Sequence, residues 1–85
     1  MEQVRANVKR GDEVVHENIE VWIETSQASW RGSFLTAKPN LINDDRLTLE
    51  IADGRIGGFV VKRMDPEELP QFRATILGSG PFRTA

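Results

Sequence analysis

Ile19-Glu20-Val21-Trp22-Ile23-Glu24 decides the fold: aliphatic residues alternate with acids, and Trp22 alone breaks the polar side. A pleated strand sends successive side chains to opposite faces, so this is a strand with one wet side. Arg46-Leu47-Thr48-Leu49-Glu50-Ile51 repeats the alternation without exception. Outward from these two, Trp30-Arg31-Gly32-Ser33-Phe34-Leu35, Arg55 to Met64 and Phe72 to Leu77 read as further strands, rich in aromatic and β-branched residues. Asp53-Gly54 joins two of the runs and favours a tight hairpin, because such a turn needs a positive φ. Ser26-Gln27-Ala28-Ser29 is a short polar break, and Lys38 to Asp45 a longer loop. No connector before Met64 is long enough for a helical crossover, which excludes a parallel sheet.

The ends of the chain are read more loosely. Val4, Ala6 and Val8 fit a strand, while Val4 and Val8 also fit one face of a short helix; the strand is preferred. Asp65-Pro66-Glu67-Glu68-Leu69 has a helix start, with an acid at the cap and proline in the first turn, and Pro70 stops it after one turn. Gly78-Ser79-Gly80-Pro81 reads as a strand exit into a flexible, fraying tail.

Residues 1–85 therefore predict a single all-β domain: a small antiparallel meander barrel of five or six strands, with one short helical turn before the last strand. Closure hides the apolar face and removes exposed edges. The expected interior is Ile19, Val21, Ile23, Trp30, Phe34, Leu47, Leu49, Ile51, Ile56, Val60, Phe72 and Ile76. A chain of 85 residues has a thin core filled by its own side chains, so binding belongs to the outside.

Composition narrows the chemistry. There is no cysteine for a disulfide, thiolate zinc site or thiol nucleophile. No signal peptide or apolar span is present, and the expected location is cytoplasmic, with no membrane association. His16, the one histidine, lies among Glu13, Glu17 and Glu20 and reads as a solvated strand residue. Asn43-Asp44-Asp45 lacks the spaced acids of a calcium loop, and Gly78-Ser79-Gly80 has no following helix to help hold a phosphate. Arg10-Gly11-Asp12 is an adhesion tripeptide without an extracellular context. No enzyme, cofactor or metal is expected. With 11 basic and 13 acidic side chains, the net charge of −2 disfavours a polyanion binder. Arg31, Arg46, Arg55, Lys62, Arg63 and Arg73 nevertheless lie on or beside strands, either as a basic face for nucleic acid or as solvated partners of acids such as Glu24 and Glu50.

Arg5 with Lys9 or Arg10, followed by Ser29-Trp30-Arg31-Gly32, resembles the PilZ family, bacterial six-stranded barrels that bind cyclic di-guanylate. The resemblance implies a ligand site of Arg5, Arg10, Ser29, Arg31 and Gly32. Gln27 stands at the family's Asp/Asn position, and lysine at position 9 lacks a planar bidentate clamp, so the motif is degenerate. The strand order also resembles Src-homology-3-like barrels, a likeness of fold alone. The expected role is a non-catalytic binding module for a protein partner or a second copy, with a cyclic dinucleotide or nucleic acid as alternatives. Its surface is expected to include Trp22, Trp30, Arg63 and Arg73, although Trp22 could equally plug a barrel end.

Overall fold

The computed structural model describes residues 1–84. Its strands are β1 (Glu2–Arg10), β2 (Glu13–Thr25), β3 (Trp30–Thr36), β4 (Leu47–Ile51), β5 (Arg55–Pro66), β6 (Phe72–Gly78) and the two-residue β7 (Arg83–Thr84). Every pairing is antiparallel. The sheet order β4-β1-β2-β3-β6-β5, with β4 also paired to β5, closes a six-stranded barrel. The first residues form a strand, as preferred from the sequence. The expected meander holds within β1–β3 and within β4–β6. Between the halves it does not: β3 lies beside β6, and β4 beside β1. The connection from β3 to β4 therefore crosses one end of the barrel.

The single helical turn occupies that crossing rather than the approach to the last strand. Pro39–Asn43 forms a 3₁₀ turn with proline in its first positions and Leu41 fully buried. Asp65-Pro66, expected to start a helix, instead ends β5, where Asp65 pairs with Arg73 and Pro66 with Phe72. With Pro70 close behind, one isolated helical turn would have few hydrogen bonds to offset its nucleation cost, and ladder pairing prevails.

Eight of the expected interior residues are buried: Val21, Ile23, Trp30, Phe34, Leu47, Leu49, Ile51 and Ile76. Ile19 packs on the core from its edge. On β5 the phase is the opposite of the one expected, with Phe59 and Val61 inward and Val60 40% exposed. Ile56 and Phe72, near strand ends, are only half-buried. A slip of one residue exchanges the faces of a strand, and Gly57-Gly58 erases the alternation that would have set the phase. A bulge between Val61 and Arg63 then returns Met64 to the core side.

The two barrel ends are closed differently. At the end where β1 begins, Trp30 is stacked against Phe82, with ring centres 4.4 Å apart and planes 18° apart. The segment expected to fray folds back here, and β7 pairs with Arg55 and Ile56 at the start of β5. At the other end, Leu41 sits beneath the strands and Arg10 bonds Asp44 at 2.7 Å.

Candidate functional site

The outer wall of β2, β3, β6 and β5 is the face with most to offer a partner. Its registers place Glu24, Arg31, Leu77 and Val60 in one row across the four strands. Trp22, Ser33, Thr75 and Arg63 form the next row. Leu77 and Val60 are directly paired neighbours, 38% and 40% exposed. They form an apolar step on this wall. Beside it lies a shallow open groove of about 350 Å³, bordered by Gly32, Ser33, Lys62, Arg73 and Thr75.

Trp22 lies on this wall, half-buried, with the Arg73 guanidinium 5.4 Å from its ring centre. It does not plug a barrel end; Trp30 does. Trp22 is therefore available as a rigid ring already backed by a cation. Arg73 is held from the side by Glu67, Nε to Oε2 at 2.9 Å, and by the Ser33 hydroxyl at 3.3 Å. Gly32 is required beneath, because a Cβ there would strike the Trp22 carbonyl oxygen. Trp22, Arg63 and Arg73, three of the residues expected to form an interaction surface, thus share one wall. Trp30 does not join them: it is 3% exposed and belongs to the core.

Of the two readings of the late-strand basic residues, the pairing with acids is the one that the ion pairs match. Arg31 bonds Glu24 directly opposite it on β2, at 2.6 Å, and Arg63 bonds Asp65 at 2.6 Å. Arg55 bridges Glu2 at 2.7 Å and Asp53 at 2.9 Å. This bonding raises the Arg55 pKa above its usual value and holds Asp53 below the usual carboxylate range. Lys62 is exposed and makes no ion pair among the described residues. It is a cation of this wall open to an incoming carboxylate.

The residues implied by the PilZ resemblance do not converge. Ser29 sits in the β2–β3 turn at the β7 end of the barrel, and its hydroxyl donates to the Gly78 carbonyl at 3.0 Å. Arg10 lies at the opposite end, eight residues along β1 from Glu2, roughly 25 Å at the usual strand rise. There Asp44 and Glu13 bind Arg10, and Asp44 is the first cause of its raised pKa. Arg5, between the two ends, donates to the Asn18 carbonyl at 3.2 Å. Arg31 is turned to Glu24, and Gly32 serves the close approach of β2.

His16 is likewise not the solvated residue expected. Half-buried, its Nε2 lies 2.7 Å from the Thr36 hydroxyl oxygen. That oxygen also accepts from the Lys38 backbone N–H at 3.0 Å, and the Lys38 ammonium donates to the Val15 carbonyl at 3.1 Å. Burial, then the nearby Lys38 charge, lowers the His16 pKa. A neutral ring accepting the Thr36 proton at Nε2 satisfies this arrangement. Among the described residues, no three histidine or acidic side chains cluster to hold a metal, and no helix is long and apolar enough to cross a membrane.

Sequence reasoning missed Leu77 and Val60 as an exposed pair and Phe82 as part of the barrel end. Alternation along β6 could have placed Leu77 outward, since Ala74 and Ile76 are inward. Nothing local marked Phe82. No protein-family model, curated protein or solved structure matches this chain.

Proposed function

We propose that this domain is a non-catalytic binding module of the cytoplasm, and that it docks a protein partner on the outer wall of β2, β3, β6 and β5. The carrying observation is the continuity of that wall: Trp22 under Arg73, the Val60–Leu77 step and the unpaired Lys62 all border or adjoin one groove. A partner segment with an aliphatic residue for Leu77 and a carboxylate for Lys62 matches its chemistry. The one histidine is committed to Thr36 inside the opposite end, which supports a role without acid–base chemistry. Cyclic di-guanylate is the weaker reading, because Arg10 and Ser29 lie at opposite ends. Nucleic acid is weaker too, because Arg31, Arg63 and Arg73 already have carboxylate partners.

The test places a photoreactive side chain at Thr75 within the groove, or at Thr48 on β4 as a control, in cells that make the protein. A discrete protein adduct is expected from position 75 and not from position 48, and Leu77→Glu should abolish it. No adduct from position 75, or equal adducts from both, overturns the reading.

A further inference from the structure

Phe82 is held as a ligand would be. Trp30 stacks on one face of its ring at 4.4 Å, and the Arg55 guanidinium lies over the ring, 5.5 Å from its centre. Glycines clear the space. A Cβ on Gly78 would strike the Trp30 ring, and one on Gly57 would come within 2.8 Å of Trp30 Nε1 and 2.9 Å of Phe82 Cδ1. The Trp30 Nε1 proton is buried in this slot without an acceptor among the described residues. Beside the ring, the first two residues of β5 take Arg83 and Thr84 as ladder partners. The slot therefore reads an aromatic side chain and the backbone that carries it.

Among the described residues, two ladder pairs hold β7 beside the slot, and both of its residues are exposed. The link behind it, Ser79-Gly80-Pro81, has Gly80 at a φ of +97° and, among the described residues, one backbone bond to the barrel, from Ser79 N–H to the Gly58 carbonyl at 2.8 Å. The remaining strands of the barrel pair over four residues or more.

We propose that the slot between Trp30 and Arg55 is a recognition site for an extended peptide bearing a phenylalanine or tryptophan, occupied in this conformation by the chain's own Phe82. A free base or other planar small molecule would use the stack and leave the β5 edge unpaired; a strand uses both. This is strand addition with an aromatic anchor. The tether gives Phe82 a high effective concentration at its own slot, so a partner peptide gains access only as the tail leaves. The site is separate from the β2–β3–β6–β5 wall, and each can fail without the other.

The probe is a synthetic peptide of residues 79–85, Ser-Gly-Pro-Phe-Arg-Thr-Ala, added to the full chain carrying Phe82→Ala. The readout is the Trp30 indole N–H signal in NMR spectra. The peptide is expected to shift that signal toward its wild-type position, and to bind wild type at least tenfold more weakly. The same peptide with alanine for phenylalanine should do neither. No shift at millimolar peptide, or an equal response to both peptides, overturns the proposal. Should Phe82→Ala fail to fold, hydrogen exchange on wild type decides. The Arg83 and Thr84 amides should exchange at least tenfold faster than those of Phe59 and Ile76, and exchange at the core rate overturns the proposal.

Discussion

The two ends of this barrel solve one problem with opposite materials. A small closed sheet must cover the apolar side chains that open onto its rims. At the β3–β4 crossing, the cover is built into the chain path. Leu41, on the 3₁₀ turn, has no exposed surface, and at the same end Thr36, the last residue of β3, is 2% exposed and satisfied by His16 and Lys38. At the other end, the cover is an aromatic ring on a tail, clamped by Arg55. Between them the rings of Trp30, Phe59 and Phe34 meet edge to face, 6.0 and 6.2 Å apart, and His16 continues the line 6.1 Å from Phe34. One core is thus closed by a buried aliphatic side chain of the crossing at one end and by a stacked, partly exposed ring at the other.

The largest effect expected from this contrast is the difference between two truncations. Leu41→Ala empties a site with no exposure and should cost about 2–5 kcal/mol, lowering the urea midpoint with an unchanged slope. Phe82→Ala removes a larger side chain but a half-exposed one, and should cost only ~1–2 kcal/mol. Equal losses would mean that the tail is as integral as the crossing turn, and the contrast would fall.

This difference also marks what the sequence could convey. The strands around Ile19–Glu24 and Arg46–Ile51 were legible because a wet face and a dry face alternate residue by residue. β5 was legible as a strand but not in phase, since Gly57-Gly58 has no side chains to assign. The two plugs were hidden for one reason: Leu41, next to an exposed Ile42, and Phe82 lie in short, polar, proline-containing stretches, without a period to expose them. Trp22 and Arg73 could be named one by one. Their contact could not, because it depends on β6 lying beside β3, a pairing between distant segments. The implied ligand set failed on the same ground: adjacency along β1 says nothing of which barrel end each arginine reaches.

A smaller effect separates the ends by pH. His16 serves the crossing end, and its folded-state pKa lies below the ordinary 6.5, first from burial and then from Lys38. Between the lowered value and 6.5 the unfolded chain binds more protons than the folded one, so stability falls as pH drops through that window and levels off below it. Urea midpoints should therefore be lower at pH 5 than at pH 7.5, and His16→Gln should flatten the difference. An unchanged slope in that variant would remove His16 from the account. Asp53, held low by Arg55 at the other end, loses its contribution only under more acid conditions, below the ordinary carboxylate value of 3.8.

The smallest effect is the most local. Arg55→Gln removes the cation over Phe82 and the bridges to Glu2 and Asp53 without opening the core. A cation over an exposed ring contributes about 0.5–1 kcal/mol, equivalent to roughly a two- to fivefold change in the opening equilibrium of the tail. The Arg83 and Thr84 amides should exchange faster by that factor, while those of Val8, Leu49 and Ile76 keep their rates. Arg10→Gln, which breaks the pairing with Asp44 at the other end, should leave tail exchange untouched. Should both variants speed the tail alike, the two closures would be coupled through the aromatic line from Trp30 to His16, and the tail plug could not move independently of the crossing one.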